Sequence, residues 1–425
     1  MTSLSAPGGP GQPDPDRGTR GGADPGGRPL HAVLLDGVAD AARLLEPLAR
    51  ALDGTGPAIL PLDAALPAAR LRQLIDAFGP SVVIGADGAA TTRSGPPGVA
   101  PETAVIIATS GSTGEPKGVE LSAAALTHSA RASLARAGAR PGERWLACLP
   151  ASHVAGLQVL VRSLVGGTEP VVAAEATARA VADAAAAGCA HVSVVPTQLV
   201  RLLDSDGGAS LARYRCVLVG GAAAGAGALA AARNAGVTAV TTYGMSETCG
   251  GCVYDGVPLD GVTVRAGGDG RLRISGPVLM NRYYRRPELT AAVLAEGTDG
   301  AEFATSDLGF VDPGGRVVIR GRADDVINTG GHKVVPGEVA AVLGTCPGVR
   351  EAVVVGRPDP EWGERVTAVI VPVDPDDPPG LELLRTHVGA RLPRYACPSE
   401  VVLTEAIPLL PSGKPDLAAL KMART

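Results

Sequence analysis

The residues best suited to chemistry lie in a short polar segment near position 110. Residues 109–114 (TSGSTG) supply four hydroxyl groups and two glycines, and Lys117 follows three positions later. Glycines let backbone N–H groups approach an anion closely, while the hydroxyls and the ammonium group add donors and positive charge. We therefore interpret the segment as a phosphate-binding loop. A flexible surface turn is the alternative that composition alone leaves open.

The flanks of this loop predict how it is held. Residues 104–108 form an apolar run typical of a buried strand, and residues 116–118 are expected to close the loop. Ser122 is a suitable N-cap for a helix that begins at Ala123. The pattern G-x-x-x-x-G-K-[ST] of P-loop nucleotide hydrolases does not occur here, so a different class of phosphate loop is indicated.

A second polar segment, with Tyr243 and Glu247, follows an apolar strand. A tyrosine ring at the end of a strand can stack on a purine, and a carboxylate beside a triphosphate can hold Mg²⁺. Without further information, such a tyrosine is an ordinary core residue and such a glutamate a solvated one. The pair is a candidate site only in combination with the loop.

Three charged segments nearer the C-terminus are also candidates. They contain Asp307, then Arg322 with Asp324 and Asp325, and finally Lys414 in the sequence PSGK. A carboxylate can accept hydrogen bonds from both ribose hydroxyls, and a lysine in a mobile loop can stabilise developing negative charge. Taken alone, the aspartates form a charged turn and the lysine is solvated.

Two further patterns are excluded as separate sites. Residues 220–227 (GGAAAGAG) follow a strand but lack G-x-G-x-x-G, and no acidic residue follows about twenty positions on. Cys249 and Cys252 form a C-x-x-C without the second pair that a zinc site requires. We predict that both cysteines are packing residues.

Composition excludes several classes of protein. The 425 residues carry a formal net charge of −5 with no polybasic block, which argues against nucleic acid as a partner. Seven irregularly spaced cysteines do not form a disulfide framework. No apolar run reaches the roughly 18 residues that span a bilayer, and no secretory signal is recognisable. A cytoplasmic protein without membrane insertion is expected.

The chain divides into three predicted parts. Residues 1–29 are rich in Gly, Pro and Asp and are expected to be a disordered tail. Residues 30–322 alternate strands and helices, which predicts parallel sheets covered by helices, and end in a small β-rich subdomain. Residues 323–425 read as a smaller α+β domain. The linker before the polar loop is placed at residues 86–101.

The decapeptide TSGSTGEPKG resembles the signature loop of the adenylate-forming superfamily, which includes acyl-CoA synthetases, adenylation domains and luciferases. The resemblance extends over the Tyr243, Asp307, Arg322 and Lys414 segments, and covers roughly residues 100–425. It implies an α/β fold with a large N-terminal domain and a mobile C-terminal domain that rotates at the hinge residue Asp324. It also implies ATP, Mg²⁺ and coenzyme A as small-molecule ligands, and leaves a homodimer open.

The resemblance assigns roles residue by residue. The ATP-binding residues it implies are Thr109, Ser110, Gly111, Ser112, Thr113, Gly114, Lys117, Gly220, Gly221, Tyr243, Gly244, Ser246, Asp307, Arg322 and Lys333. The implied catalytic residues are Lys414, Glu247 and Thr113, of which Glu247 and Thr113 also bind the metal. His153 and Ser246 are implied to contact the acyl substrate. The usual Val-Asp-Arg after the catalytic lysine is replaced by Pro-Asp-Leu at residues 415–417.

Two segments indicate the acid substrate. Residues 146–164 and 242–261 look very like the actinobacterial-type 2-succinylbenzoate–CoA ligases of menaquinone biosynthesis. That acid carries a second carboxylate, so its pocket needs polar or cationic groups at one end. Besides His153, Arg162 is a weaker candidate that is expected to be a solvated helix residue. Another acid ligase of the same fold and a catalytically silent nucleotide-binding relative are the alternatives.

Overall fold

A computed structural model describes residues 27–94, 98–110, 115–297, 300–410 and 413–422. The expected tail falls outside this range up to residue 26. Its predicted boundary at residue 29 is wrong, because Arg28 belongs to the folded part of the chain. Arg28 is 9% exposed, and its guanidinium donates to the carbonyl oxygens of Ala51 at 2.7 Å and Thr103 at 2.9 Å.

The elements follow in three stretches. The first contains β1 (Leu30–Leu35), α1 (Leu45–Leu52), β2 (Ala58–Asp63), α2 (Ala68–Phe78), β3 (Val82–Ile84), β4 (Ala90–Thr92), β5 (Thr103–Ser110) and β6 (Pro116–Ser122). The second contains α3 (Ala123–Arg136), β7 (Arg144–Ala147), α4 (Val154–Val165), β8 (Val171–Val172), α5 (Ala178–Ala186), β9 (Cys189–Val194), α6 (Pro196–Leu203), α7 (Gly207–Leu211), β10 (Cys216–Val219), α8 (Ala226–Asn234), β11 (Ala239–Met245), β12 (Gly250–Tyr254) and β13 (Val257–Pro258). The third contains β14 (Thr263–Ala266), β15 (Arg271–Ser275), β16 (Arg282–Tyr283), α9 (Pro287–Val293), β17 (Leu294–Gly297), β18 (Gly300–Val311), β19 (Val317–Arg322), β20 (Ile327–Thr329), β21 (His332–Val334), α10 (Pro336–Leu343), β22 (Val349–Asp359), β23 (Gly363–Pro372), α11 (Leu381–Gly389), β24 (Glu400–Leu403) and α12 (Leu417–Met422). Short 3₁₀ helices cover Ala39–Leu44, Ser246–Thr248, Ala323–Asp325 and Arg394–Ala396.

Two seven-stranded sheets make up the larger domain. The first has the order β16-β6-β5-β2-β1-β3-β4, and the second β13-β12-β11-β10-β9-β7-β8. The predicted parallel pairing is found for β1 with β2 and β3, for β2 with β5, and from β11 through β10 and β9 to β7 and β8. The stretch at 86–101 was expected to be a plain linker, yet β4 lies within it and pairs with β3.

Alternating side chains divide the core into layers. In β5, Val105 and Ile107 enter the central core with α3 and α4, whereas Ile106 packs on the other face with Phe78 of α2. In β10, Leu218 faces the same central core and Val219 faces the outer helices α5–α8. Successive strand residues thus serve different layers, and the order of layers is helix, sheet, helix, sheet, helix.

Two smaller sheets complete the chain. Strands β14, β15, β18, β17 and β19 form the expected β-rich subdomain, and β20–β24 form the sheet of the C-terminal domain, with α10 and α11 against it. This arrangement confirms the predicted α/β fold class with a large N-terminal and a smaller C-terminal domain. Within the described residues, no helix combines the length and apolarity required to cross a bilayer.

Candidate active site

The predicted phosphate loop joins two antiparallel strands. Thr109 lies opposite Lys117 in the β5–β6 register, and the Thr109 hydroxyl donates to the Lys117 carbonyl oxygen at 3.1 Å. Residues 116–118 were expected to close the loop before a helix. They instead begin strand β6, because the run from Pro116 continues as an extended, mostly buried segment. Ser122 caps α3 as predicted, accepting a hydrogen bond from the Ala125 N–H at 3.1 Å.

The tip of this hairpin lies outside the described residues. Gly111, Ser112, Thr113 and Gly114 belong to it, and their assigned roles stay predictions. Ser110 is the last residue of β5, so the chain enters the tip from the strand that carries Thr109.

Glu247 is the centre of a buried polar cluster at the end of β11. It lies in the 3₁₀ turn Ser246–Thr248 and is 8% exposed. Its Oε1 accepts hydrogen bonds from Lys117 Nζ at 3.1 Å and from the Tyr283 hydroxyl at 2.8 Å. Lys117 Nζ also lies 4.1 Å from the centre of the Tyr283 ring. The predicted lysine and glutamate, 130 residues apart in sequence, are thus in contact.

Tyr283 is a residue of this cluster that sequence reasoning missed. It is 3% exposed, and burial together with the Glu247 charge raises the pKa of its hydroxyl far above the ordinary value. The hydroxyl is therefore protonated at every working pH and donates to the carboxylate. The signal in the sequence is the pair Tyr283-Tyr284, in a chain with only six tyrosines.

A second chain of polar contacts joins Tyr243 to the start of the C-terminal domain. The Tyr243 hydroxyl donates to Asp307 Oδ2 at 2.7 Å, and Arg322 approaches Asp307 Oδ1 at 3.3 Å. Arg322 also reaches Asp324 at 3.2 Å. Asp307 and Arg322 are opposite one another on β18 and β19. Four residues with predicted nucleotide or hinge roles therefore form one continuous contact chain.

Two of the predicted glycines are required by close packing. A Cβ on Gly220 would lie 2.1 Å from the Thr242 hydroxyl, and one on Gly244 would lie 2.0 Å from the Gly250 carbonyl oxygen. Gly221 has a φ of +84°, which favours glycine. The carboxyl ends of β10 and β11 therefore approach closely beside Tyr243, at the edge where open α/β sheets bind ligands.

His153 occupies the N-cap position of α4, and its carbonyl oxygen accepts from the Leu157 N–H at 3.0 Å. His153 is exposed by its accessible surface, but partial desolvation lowers the pKa of its imidazole, the Asp63 carboxylate opposes that shift, and the Lys414 charge adds to it.

The described residues next to Lys414 are seated against the N-terminal domain. The Leu410 N–H donates to the Lys414 carbonyl oxygen at 2.8 Å, and Gly413 has a φ of +78°. A Cβ on Gly413 would lie 3.1 Å from Val195 Cγ2, at the carboxyl end of β9. The C-terminal loop and the strand ends of the second sheet therefore converge.

Among the described residues, Lys333 and Arg162 make no hydrogen bond or ion pair to the two polar clusters above. Lys333 is exposed on β21, and in the described part of the chain no hydrogen bond or ion pair joins it to another predicted site residue. Arg162 was expected to be solvated but is 5% exposed, 4.2 Å from the Trp145 ring centre, with its Nη atoms bonded to Ser133 and Ser193. The expectation is wrong because α4 is apolar on almost every side.

The metal and cysteine predictions can also be compared with the structure. No group of three or more metal-ligating His, Cys, Asp or Glu side chains occurs among the described residues. Cys249 and Cys252 are fully buried and free, as expected for packing residues. Burial raises the pKa of the Cys252 thiol to about 12.

Comparison with known proteins identifies the family. The family model of AMP-binding enzymes matches residues 90–284, and that of the AMP-binding enzyme C-terminal domain matches residues 338–414. The chain belongs to this adenylate-forming family of AMP-binding enzymes. It is 41% identical over 404 residues to a Mycobacterium tuberculosis protein named probable 2-succinylbenzoate–CoA ligase, covering 92% of this chain and 97% of that protein.

Two solved structures are similar throughout. ATP-bound MatB from Rhodopseudomonas palustris superposes with a TM-score of 0.79 at 25% identity, over 93% of this chain and 88% of that one. The o-succinylbenzoate CoA synthetase MenE from Bacillus subtilis, in complex with the acyl-adenylate intermediate OSB-AMP, superposes with a TM-score of 0.71 at 25% identity and the same coverage. The resemblance inferred from the loop sequence is confirmed.

Proposed function

We propose that this protein adenylates 2-succinylbenzoate with ATP, releases pyrophosphate and transfers the acyl group to coenzyme A in menaquinone biosynthesis. The identity with the mycobacterial ligase and the likeness to the structure with a bound acyl-adenylate support this substrate. The single observation that carries the proposal is the seating of the Lys414 turn against Val195, beside the strand ends that hold the polar cluster.

In the first step, an oxygen of the substrate carboxylate attacks the α-phosphorus of ATP, and the bond to the β-phosphate oxygen breaks. Negative charge moves onto the departing pyrophosphate. In this proposal Lys117, which contacts Glu247, binds the outer phosphates, and Lys414 binds the carboxylate and the α-phosphate. Tyr243, Asp307 and Arg322 form the polar wall assigned to the nucleoside.

Mg²⁺ is proposed to enter with the nucleotide. Both contacts to Glu247 fall on Oε1, and a magnesium ion needs only one or two protein carboxylates besides phosphate oxygens and water. The residues present therefore fit the ion, with Glu247 as its carboxylate and Thr113 as the second assigned residue. When bound, the ion would neutralise charge on the leaving pyrophosphate.

In the second step, the coenzyme A sulfur attacks the acyl carbon, the carbon–oxygen bond to AMP breaks, and the thiol proton is lost. We place the boundary between the domains at residues 322/323 and the hinge at Asp324. In the present orientation Arg320 pairs with Glu338 across that boundary at 2.9 Å. Rotation there would withdraw Lys414 and present the strand face that carries Gly330 and Gly331.

ATP–pyrophosphate exchange with a panel of carboxylic acids tests the proposal. Exchange with 2-succinylbenzoate, followed by thioester formation when coenzyme A is added, is the expected result. Exchange with a different acid would mean that the proposed substrate is wrong and that adenylate formation is right. No exchange with any acid would contradict adenylate formation and favour a silent nucleotide-binding relative.

Partners other than small molecules are not proposed. Free, buried cysteines suit a reducing compartment, which supports a cytoplasmic location that fractionation would test. A homodimer remains a prediction, which light scattering of the protein in solution would test.

A further inference from the structure

Gln158 carries a buried amide without a partner. It lies in α4 and is 3% exposed, and neither its Oε1 nor its Nε2 has a hydrogen-bond partner among the described residues. Burying an amide without hydrogen bonds is unfavourable, so such groups in native proteins call for an explanation. A ligand that binds next to the amide provides one.

The position of Gln158 relates it to the acyl side of the site. Val154 and Gln158 are four residues apart and share a face of α4. A Cβ placed on Gly250 would lie 3.4 Å from Gln158 Cγ and 3.7 Å from Val154 Cγ2. Gly250 is opposite Met245 in the β11–β12 register, within the segment that carries Tyr243 and Glu247. The amide thus lies behind the strand pair that holds the nucleotide residues.

The distance between His153 and Gln158 along α4 suits a substrate group that is distant from the reacting carboxylate. His153 is the N-cap of α4, and Gln158 follows five residues later. Five residues of helix span about 7.5 Å. Arg162 lies one turn farther on, but Ser133 and Ser193 already occupy its Nη atoms. The Arg162 Nε is, like the Gln158 amide, without a hydrogen-bond partner among the described residues, but Gln158 lies one turn nearer to His153.

We propose that the Gln158 amide hydrogen-bonds the second carboxylate of the acyl substrate and so selects aryl acids that carry one. This inference rests on the proposed function and adds a specificity-determining residue to it. In this hydrogen bond the neutral amide N–H is the donor and the charged carboxylate is the acceptor. An acid without that carboxylate leaves the amide as unpartnered as it is now.

The test compares two substrates and three proteins. Pyrophosphate exchange is measured for wild type, Gln158→Leu and Ser163→Ala with 2-succinylbenzoate and with 4-oxo-4-phenylbutanoate, which lacks the ring carboxylate. Ser163 is the matched control, because its hydroxyl is also buried and unpartnered but lies about 140° around the same helix. We expect Gln158→Leu to lose about 10- to 100-fold in kcat/KM on 2-succinylbenzoate and less than about 3-fold on the analogue.

A second readout separates recognition from folding. Because leucine removes an unpartnered amide, the melting temperature of Gln158→Leu without ligand is expected to equal or exceed that of wild type, while its rise on adding 2-succinylbenzoate and ATP shrinks. Equal losses on both acids, an unchanged kcat/KM, or the same loss in Ser163→Ala would each overturn the inference and leave the proposed function standing. A wild type that activates neither acid would overturn both.

Discussion

Replacing Tyr283 by phenylalanine removes one hydroxyl from the Glu247 cluster and keeps the ring under Lys117. The lost bond is 2.8 Å long, nearly fully buried, and made to a carboxylate. Hydrogen bonds to charged groups contribute about 1.5–3 kcal/mol. Because Lys117 still donates to the same oxygen at 3.1 Å, we expect a loss at the lower end of that energy range. About 1.5 kcal/mol corresponds to roughly a tenfold fall in kcat/KM for exchange.

The assay is pyrophosphate exchange as a function of ATP and Mg²⁺ concentration. Tyr284→Phe is the matched control, because Tyr284 packs against Phe78 in another core, with ring centres 6.0 Å apart. We expect Tyr284→Phe to resemble wild type. If Tyr283→Phe kept wild-type exchange at limiting Mg²⁺, or both variants lost activity equally, the assigned role of the hydroxyl would be refuted.

Two other predictions concern stability and thiol chemistry. Burial lowers the pKa of His191, which the Glu143 contact at 3.1 Å only partly opposes, so the unfolded chain binds a proton that the folded chain does not. The free energy of unfolding should therefore fall as the pH drops below about 6.5. Urea titrations of His191→Phe between pH 7 and 5 should show a flatter dependence of this free energy on pH than wild type. The same dependence in both proteins would contradict the prediction. All seven cysteines are buried and free, and burial raises the pKa of the Cys148 thiol to about 12. The native protein should therefore consume less than about one equivalent of Ellman's reagent, whereas the denatured protein should consume seven. Rapid reaction of several native thiols would contradict the burial.

The fold class was predictable because hydrophobic periodicity is local. Apolar runs such as residues 216–219 identify buried strands by themselves, and the structure has Cys216–Val219 as β10. The hairpin at Pro116 was missed because the glycine and proline at its start suggested a loop. Its pairing partner, β5, supplies the hydrogen bonds that make the segment a strand.

The site was predictable only where a motif carried it. Lys117 and Glu247, or Tyr243 and Asp307, are separated by many residues, and no local pattern indicates that they touch. The burial of Arg162 had a usable signal, since an almost wholly apolar helix buries every side. The partner of Arg162, Trp145, could not be identified from sequence, because stacking depends on how α4 crosses the sheet.

The most direct test of the account measures both half-reactions of Lys414→Ala. Adenylate formation is followed by pyrophosphate exchange, and thioester formation is followed from supplied 2-succinylbenzoyl-AMP and coenzyme A. Lys421→Ala, an exposed lysine of α12, is the control. We predict that Lys414→Ala loses at least about 10²–10³ in exchange and keeps near-wild-type thioester formation, because its ammonium group serves the first step alone. Equal loss in both half-reactions, or wild-type exchange, would contradict the convergence of this loop with the nucleotide site.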